Sequence, residues 1–243
     1  MKAIILCAGK GSRTGLSYPK CLYRFKNNFT LIERNLTTLK KLGFKNNDII
    51  FGTGFEDKLI KKATKNSFTY IKNKKYNLTN MVYSLQEVIK SGIVDDIYII
   101  YADIIFDSKS FKKLIKSKNH ISTLIDKDWL KKWKLKKNYM NDLEELKIKG
   151  SKILSLGKKT KNLKNIDGRF LGITKFSKTI LKALITKKVI ERKLDSNKKI
   201  DFTNFLMKLI NDGFKVNAIK LRIDWFEFDT KYDFSTYEKK YLK

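Results

Sequence analysis

The chain of 243 residues carries a formal net charge of +30, with 42% hydrophobic and 12% aromatic residues. This composition argues against a disordered chain, and no apolar run approaches the roughly 20 residues that a membrane-spanning helix needs. The apolar start, residues 3–8, is too short for a secretory signal and runs directly into Gly-Lys-Gly. The two cysteines, Cys7 and Cys21, have no metal-ligand spacing, so we expect a reducing, cytoplasmic setting.

The excess of basic residues, 54 Lys and Arg against 24 Asp and Glu, allows two interpretations. The lysines are spread along the whole chain, and no helix-turn-helix, RNA-binding or zinc-finger pattern accompanies them. We therefore expect no nucleic acid as the main partner, and a positive field that attracts anionic phosphate compounds. A basic protein that binds RNA or another polyanion stays the alternative from a different functional class.

The first part of the chain alternates between apolar strand segments and amphipathic helices. The predicted strands cover residues 3–6, 48–52, 68–71 and 96–101, and the predicted helices cover residues 31–42, 56–65 and 80–90. This alternation predicts a parallel sheet with helices on both faces.

The regular alternation of strands and helices ends after about residue 108. Helices are predicted at 110–117, at 202–212 and at the C-terminus, and strands at 120–125, 143–149, 153–156, 168–176, 215–221 and 225–229. The sequence has no internal repeat and no Gly/Ser/Pro-rich linker. It therefore predicts one domain over residues 1–243.

A glycine loop follows the first predicted strand. It reads Leu6-Cys7-Ala8-Gly9-Lys10-Gly11-Ser12-Arg13, and Pro19-Lys20 comes soon after. Its glycines permit a tight turn whose amides can approach an anion, while Arg13 and Lys20 can neutralise phosphates and stabilise a phosphoryl-type transition state. Neither the Gly-x-x-x-x-Gly-Lys-Ser/Thr motif nor Gly-x-Gly-x-x-Gly is present, since Thr14 occupies the third glycine position. We predict a triphosphate site here; the alternative is a structural turn with incidental cations.

This loop resembles the signature of the sugar-phosphate nucleotidyltransferase superfamily, Leu-Ala-Ala-Gly-x-Gly-x-Arg followed by Pro-Lys. Residues 31–34 resemble the start of the family's next helix, and residues 76–85 resemble the Asn-x-x-x-Ser-Leu element of its cytidylyltransferase branch. The resemblance implies an α/β fold, GT-A-like (Rossmann-like), with a central, mostly parallel mixed sheet. It also implies that Arg13 and Lys20 are catalytic and that the nucleotide contacts are Leu6, Cys7, Ala8, Gly9, Gly11, Ser12, Thr79, Asn80, Met81 and Ala102. An Asn or Thr cap on an ordinary helix is the alternative at residues 79–81.

Two acidic segments lie far apart in the chain. Asp103 follows an apolar strand, at the strand end where open α/β sheets bind ligands, and Glu227 and Asp229 share one face if their segment is a strand. A few carboxylates can hold Mg²⁺ against a triphosphate. The resemblance implies Asp103 and Asp229 as metal ligands with Glu227 as an auxiliary; a strand-end cap or a surface charge is the alternative.

Candidate acceptor residues lie in the second half of the chain. They are Asp128, Trp129, Asp142, Glu144, Lys158 (or its neighbour Lys159) and Arg169. Aromatic rings and carboxylates suit an ammonium-bearing substrate. Arg169 stands where the resembling family commonly has an acidic residue, which suits a more anionic acceptor. The alternatives are a basic amphipathic helix that packs its tryptophans, and lysines on a solvated face.

The resemblance thus implies a Mg²⁺-dependent cytidylyltransferase that condenses CTP with a small phosphorylated acceptor and releases pyrophosphate. Residues 1–108 are expected to bind the nucleotide, and residues 109–243 the acceptor and, near the C-terminus, the metal. The expected acceptor is a phosphorylated amino compound, with phosphorylated L-glutamine for capsule phosphoramidate modification preferred over a sugar 1-phosphate, phosphocholine or a phosphonate. We expect a monomer or homodimer. A GT-A glycosyltransferase is the rival enzyme, although Asp103-Ile-Ile-Phe-Asp107 is not its Asp-x-Asp motif.

Overall fold

The computed structural model describes residues 1–242. Its strands are β1 (Lys2–Leu6), β2 (Ile49–Thr53), β3 (Thr69–Lys72), β4 (Ile97–Tyr101), β5 (Ile104–Phe106), β6 (Ile121–Asp126), β7 (Glu144–Lys149), β8 (Lys152–Lys159), β9 (Arg169–Phe176), β10 (Val216–Leu221) and β11 (Trp225–Glu227). Its helices are α1 (Leu31–Lys41), α2 (Asp57–Ala63), α3 (Met81–Ile89), α4 (Ser108–Ile115), α5 (Leu130–Trp133), α6 (Lys178–Thr186), α7 (Val189–Ser196), α8 (Phe202–Asn211) and α9 (Lys231–Tyr241).

Nine strands form one sheet in the order β3-β2-β1-β4-β9-β6-β10-β8-β7, and β5 and β11 form a separate two-stranded sheet. The first four strands are mutually parallel. Strand β9 is antiparallel to both β4 and β6, while β6 and β10 are parallel. Only β8 and β9 therefore run against the other strands of the large sheet. The predicted α/β fold with a mixed, mostly parallel central sheet is confirmed.

The sheet is buried on both faces, as the alternation along β1 shows. Ala3 and Ile5 belong to one core cluster, whereas Ile4 and Leu6 belong to the cluster on the opposite face. Successive strand side chains point to opposite faces, so a strand that is apolar at every position needs cover on both sides. This explains why the predicted strands of the first half are continuous apolar runs.

Four short elements were not predicted: β5, α5, α6 and α7. Helices α6 and α7 are separated by Lys188, whose φ of 48° is left-handed and stops the helical run. The predicted strand at residues 225–229 is shorter than expected, since β11 ends at Glu227. Among the described residues, the structure contains no helix long and apolar enough to cross a membrane.

Candidate active site

The glycine loop leaves β1 at Leu6 and turns over the side chain of Lys20. The N–H of Cys7 donates to the carbonyl of Gly52 at 2.9 Å, so the first residue of the loop is still hydrogen-bonded to the sheet. Gly11 has a φ of +62°, and a Cβ at this position would lie 3.2 Å from Cδ of Lys20. Glycine at position 11 therefore meets two needs, a left-handed backbone and close packing of Lys20.

Lys20 lies between the two predicted metal-ligand segments. Its Nζ is 2.6 Å from Oδ2 of Asp103 and 3.8 Å from Oδ1 of Asp229, and it donates to the carbonyl of Phe228 at 3.2 Å. Arg13 reaches the same carboxylate, with Nη2 2.7 Å from Oδ1 of Asp229. The fold thus brings together all four of the charged residues that the sequence singled out as catalytic cations and principal metal ligands.

A third cation, Lys136, was not predicted. Its Nζ is 2.6 Å from Oδ2 of Asp229 and 3.3 Å from Oε2 of Glu227. The contact with Glu227 is one of charge rather than a directed hydrogen bond, because Oε2 is buried without a hydrogen-bond partner. Lys136 sits in a lysine-rich stretch of the sequence, and no local pattern distinguishes it from its neighbours.

Asp229 and Glu227 have different pKa values because they differ in how strongly these cations act on them. Burial alone would raise the pKa of Asp229, but Lys136, Lys20 and Arg13 outweigh burial and lower it to about 2. Burial and the nearby charge of Asp229 raise the pKa of Glu227 to about 7. Burial also opposes the charge on Lys20, yet Asp103 and Asp229 raise its pKa overall. Asp229 and Lys20 are therefore fully charged at neutral pH.

The small sheet explains how distant segments meet. Glu227 pairs with Ile104 across the antiparallel strands β5 and β11. One residue further, the N–H of Phe228 donates to the carbonyl of Asp103 at 2.9 Å. Asp229 lies beyond the end of β11, so the prediction that a strand places Glu227 and Asp229 on one face is wrong. Both carboxylates nevertheless contact Lys136 and line the same cavity.

A cavity of about 250 Å³ lies beside the glycine loop. Its lining includes every predicted nucleotide contact except the exposed Ser12, and adds residues that were not predicted: Asn73, Tyr76 and Ser84. Asn80 lines this cavity and also caps α3, accepting the N–H of Met81 at 2.8 Å. The capping role that was the alternative for Asn80 is thus present together with its place in the cavity.

Asn73 organises the part of this cavity formed by residues 73–84. It is 1% exposed, and its Nδ2 donates to Oγ1 of Thr79 at 2.9 Å and to Oγ of Ser84 at 3.0 Å. Its Oδ1 accepts the N–H of Lys75 at 2.8 Å. The side chain therefore ties the loop before α3 to the helix itself, in a buried and satisfied network.

A second cavity of about 250 Å³ adjoins the first and shares Arg13, Met81 and Asp103 with it. Of the predicted acceptor residues, Asp142, Glu144 and Arg169 line it, as do Glu227 and Asp229. Tyr101, Asp201 and Thr203 also line it and were not predicted. Arg13, Met81 and Asp103 therefore mark the place where ligands in the two cavities would meet.

Three predicted acceptor residues lie elsewhere. Asp128 pairs with Arg222, and Trp129 is buried at 5% exposure in the core. Lys158 and Lys159 are both exposed, and Lys159 places Nζ 2.7 Å from Oδ1 of Asp142, which lines the cavity. Of the two tryptophans in this segment, Trp133 rather than Trp129 contacts a residue of the cavity, because the guanidinium of Arg169 lies 3.7 Å from the centre of its ring.

Within residues 1–242, no group of three or more His, Cys, Asp or Glu side chains is arranged to hold a metal ion. The three-carboxylate site with Glu227 as auxiliary is therefore not formed. Asp103 and Asp229 nevertheless converge on one ammonium nitrogen, and Oδ1 of Asp103 is buried without a partner. Two carboxylates fit a hard divalent cation that takes its other ligands from substrate phosphates and water.

Comparisons with known proteins agree with this geometry. The family described as MobA-like NTP transferase domain matches residues 3–145. Over 94% of its length the chain is 31% identical to CTP:phosphoglutamine cytidylyltransferase of Campylobacter jejuni, of which it covers 96%.

Solved structures show the same fold at lower identity. The inositol-1-phosphate CTP transferase from T. maritima superposes with a TM-score of 0.73 at 18% identity, over 98% of this chain and 96% of that one. The CTP:phosphocholine cytidylyltransferase from Streptococcus pneumoniae gives 0.73 at 20% identity, over 100% and 99%. The chain belongs to the MobA-like NTP transferase family and is a nucleotidyltransferase.

Proposed function

We propose that this nucleotidyltransferase transfers a cytidylyl group from CTP to the phosphate of a small acceptor and releases pyrophosphate. The observation that carries the proposal is the meeting of the two cavities at Arg13, Met81 and Asp103, with Lys20 directly beside them. Two phosphate-bearing substrates need adjoining spaces with cations at the junction, and this arrangement supplies them.

The choice of cytosine rests on the base side of the first cavity and on one relative. Thr79, Asn80 and Met81 line that side, and amide and hydroxyl groups can distinguish bases by hydrogen bonding. The Campylobacter jejuni relative is named for its use of CTP. The lining thus supplies groups that can select a base, and the name of the relative favours CTP over the other nucleoside triphosphates.

In the proposed reaction an oxygen of the acceptor's phosphate attacks the α-phosphorus of CTP. One P–O bond forms, the bond from the α-phosphorus to the bridging oxygen breaks, and that oxygen leaves with pyrophosphate. Phosphate is already ionised near neutral pH, so no strong general base is needed. Arg13 and Lys20 hold positive charge where negative charge develops, and catalysis is mainly positioning and electrostatic stabilisation.

We also propose Mg²⁺ as the cofactor, held by Asp103 and Asp229. When bound, the ion supplies charge neutralisation for the triphosphate. Lys20 and Lys136 form ion pairs with the same carboxylates, Lys20 with Asp103 and Lys136 with Asp229. Glu227 faces Lys136 and Arg169, so we assign it to the acceptor cavity and not to the metal.

For the acceptor we propose a small phosphorylated amino compound, with L-glutamine phosphate as the first candidate. The name of the Campylobacter jejuni relative and the mixture of acidic residues and Arg169 in the second cavity support this choice. Use of the product in capsule phosphoramidate modification, a cytoplasmic location and a monomeric or homodimeric state remain predictions from the sequence.

The decisive experiment measures pyrophosphate release with each of four NTPs against phosphorylated glutamine, phosphocholine, 2-aminoethylphosphonate and a sugar 1-phosphate. Activity with CTP and a phosphorylated amino compound is expected. Activity confined to UTP or dTTP with a sugar phosphate would exclude cytidylyl transfer. Lys20→Ala is expected to lose roughly 100-fold or more in kcat, while Lys40→Ala, an exposed lysine of α1, serves as the matched control.

A further inference from the structure

We propose that Arg169 binds a carboxylate of the acceptor, and that the acceptor is therefore a phosphorylated amino acid rather than a phosphorylated amino alcohol or amine. The location of the acceptor rests on the proposed function, because it assigns the second cavity to that substrate. The assignment of Arg169 rests on the geometry of its own side chain.

The guanidinium of Arg169 is held flat against an aromatic ring. It lies 3.7 Å from the centre of the Trp133 ring, and Trp133 is itself 1% exposed. Nη1 donates to the main-chain carbonyl of Asp142 at 3.3 Å. A stacked guanidinium with one nitrogen fixed can offer its remaining N–H groups only in a defined plane.

The other edge of this guanidinium has no hydrogen-bond acceptor in the described part of the chain. Nε is buried without a partner, and Nη2 is 3.7 Å from Oε2 of Glu227, which is beyond hydrogen-bonding distance. Glu227 lies closer to Lys136, at 3.3 Å. Nε and Nη2 form the edge of arginine that matches the two oxygens of a carboxylate, and a buried N–H without a partner is costly.

A carboxylate group suitable for the ammonium of an amino acid lies in the same cavity. Glu144 lines it, the carboxylate of Glu144 makes no hydrogen bond with any residue described, and its Oε1 is 3.8 Å from Nζ of Lys159. Asp201 also lines the cavity, but its oxygens cap α8 through Asn204. In an α-amino acid the carboxylate and the ammonium share one carbon, so neighbouring groups of opposite charge such as Arg169 and Glu144 fit it.

A rival role for Arg169 is binding of the acceptor's phosphate. The phosphate must reach the junction of the two cavities, where Arg13 already supplies a guanidinium. Arg169 lines only the second of these two cavities. This placement favours a role for Arg169 at the end of the acceptor that does not react.

The test compares three acceptors: L-glutamine phosphorylated on its side-chain amide, its decarboxylated analogue, and its analogue without the α-amino group. Affinity is measured by calorimetry without CTP, and kcat/KM is measured with CTP. The wild type is expected to lose roughly 100-fold in affinity when the carboxylate is absent. Arg169→Gln is expected to bind the intact and decarboxylated compounds equally, and Arg169→Lys to recover part of the difference. Glu144→Gln is expected to remove the preference for the α-amino group.

Arg222→Gln, at an exposed arginine paired with Asp128, is the control and is expected to keep the wild-type preference. Equal losses for all three acceptors in Arg169→Gln would overturn the proposal in favour of phosphate binding. Equal wild-type affinity for acceptors with and without the carboxylate, or no binding of any of them, would also overturn it. Carboxylate-dependent binding without CTP turnover would instead contradict the proposed function and leave the role of Arg169 standing.

Discussion

The N–H of Phe228 donates a hydrogen bond of 2.9 Å to the carbonyl of Asp103. This bond continues the pairing of β5 with β11 by one step, past Glu227 and Ile104. It places the carboxylates of Asp103 and Asp229 on either side of Lys20. A short two-stranded sheet therefore determines the spacing of the acidic pair that we assign to the metal.

Replacing either member of this pair should abolish metal-dependent turnover. We expect Asp103→Asn and Asp229→Asn each to lower kcat by roughly 100-fold or more, because each removes one of two charged ligands. Glu227→Gln should keep the dependence on Mg²⁺ concentration. Steady-state rates over a Mg²⁺ titration check this, with Glu87→Gln on α3 as the control. A fully active Asp103→Asn or Asp229→Asn variant would remove that residue from the metal site.

Asn73→Ala should weaken nucleotide binding more than it slows chemistry. The change removes two hydrogen bonds that position Thr79 and Ser84 and leaves the N–H of Lys75 without its side-chain acceptor. We expect the KM for the nucleotide to rise roughly tenfold, equivalent to about 1.4 kcal/mol, with a smaller change in kcat. Asn211→Ala, at an exposed position at the end of α8, should leave both constants unchanged. A fall in kcat with unchanged KM would contradict this role of Asn73.

The sequence identified the charged residues that meet beside the glycine loop, but not the side chains that support them. The glycine loop, Lys20 and Asp103 follow apolar strands of the first half, where one local pattern predicts both the strand and the position of its end. Lys136 could not be found in this way, because its partners Glu227 and Asp229 lie in a distant segment near the C-terminus. Asn73 does follow strand β3, but no local pattern shows that its side chain bonds to Thr79 and Ser84. Arg169 was singled out as a departure from the family pattern, but its support by Trp133 became visible only in the fold.

The sequence leaves Lys158 and Lys159 as alternative acceptor residues because strand β8 is irregular. Simple alternation along β8 fails, since both Ile153 and Leu156 are buried. The register with β7 shifts twice, and Gly157 has a φ of +88° within the strand. Such irregularities change which side chains face the cavity. No local pattern in the sequence locates these irregularities, so the contact of Lys159 with Asp142 could not be predicted from the sequence.

Gly172→Ala should destabilise the protein more than the same change at Gly150. Both glycines have left-handed backbones, with φ of +69° and +61°, but a Cβ at position 172 would overlap the ring of Tyr101 whereas position 150 is open. We expect Gly150→Ala to cost about 1 kcal/mol from backbone strain. Gly172→Ala should cost about 1–3 kcal/mol more from overpacking. Denaturant unfolding of both variants measures the difference, and equal losses would contradict the steric role of Tyr101.

Asp57 should make stability depend on pH in the acid range. Burial opposes its charge, but hydrogen bonds from Lys72 and Lys61 outweigh this and lower the pKa of Asp57 below 3.8. Because the folded pKa is depressed, the stabilisation is fully present above about 3.8 and is lost as the pH falls through the folded value.

Asp57→Asn should therefore lower the Tm by roughly 2 °C at pH 7, as expected for one partly exposed ion-pair cluster. The difference from the wild type should shrink as the pH falls below 3.8. Melting curves from pH 7 to pH 2.5, with the exposed Asp195→Asn as the control, provide the measurement. A difference that is constant over this range would show that the charge of Asp57 does not contribute.

Strand β9 enters the middle of the sheet against the direction of both neighbours. Its first residue, Arg169, therefore stands at the edge where β4 ends, beside Tyr101 and Asp103. The glycine loop leaves the sheet at this edge, whereas the chain that supplies Arg169 enters there. Only residues 161–164 of the segment before β9 are exposed, so changes in length or composition are expected to be tolerated there without altering the pairing of β1 with its neighbours. The order of the strands thus separates the exposed chain before Arg169 from the strands that carry the glycine loop.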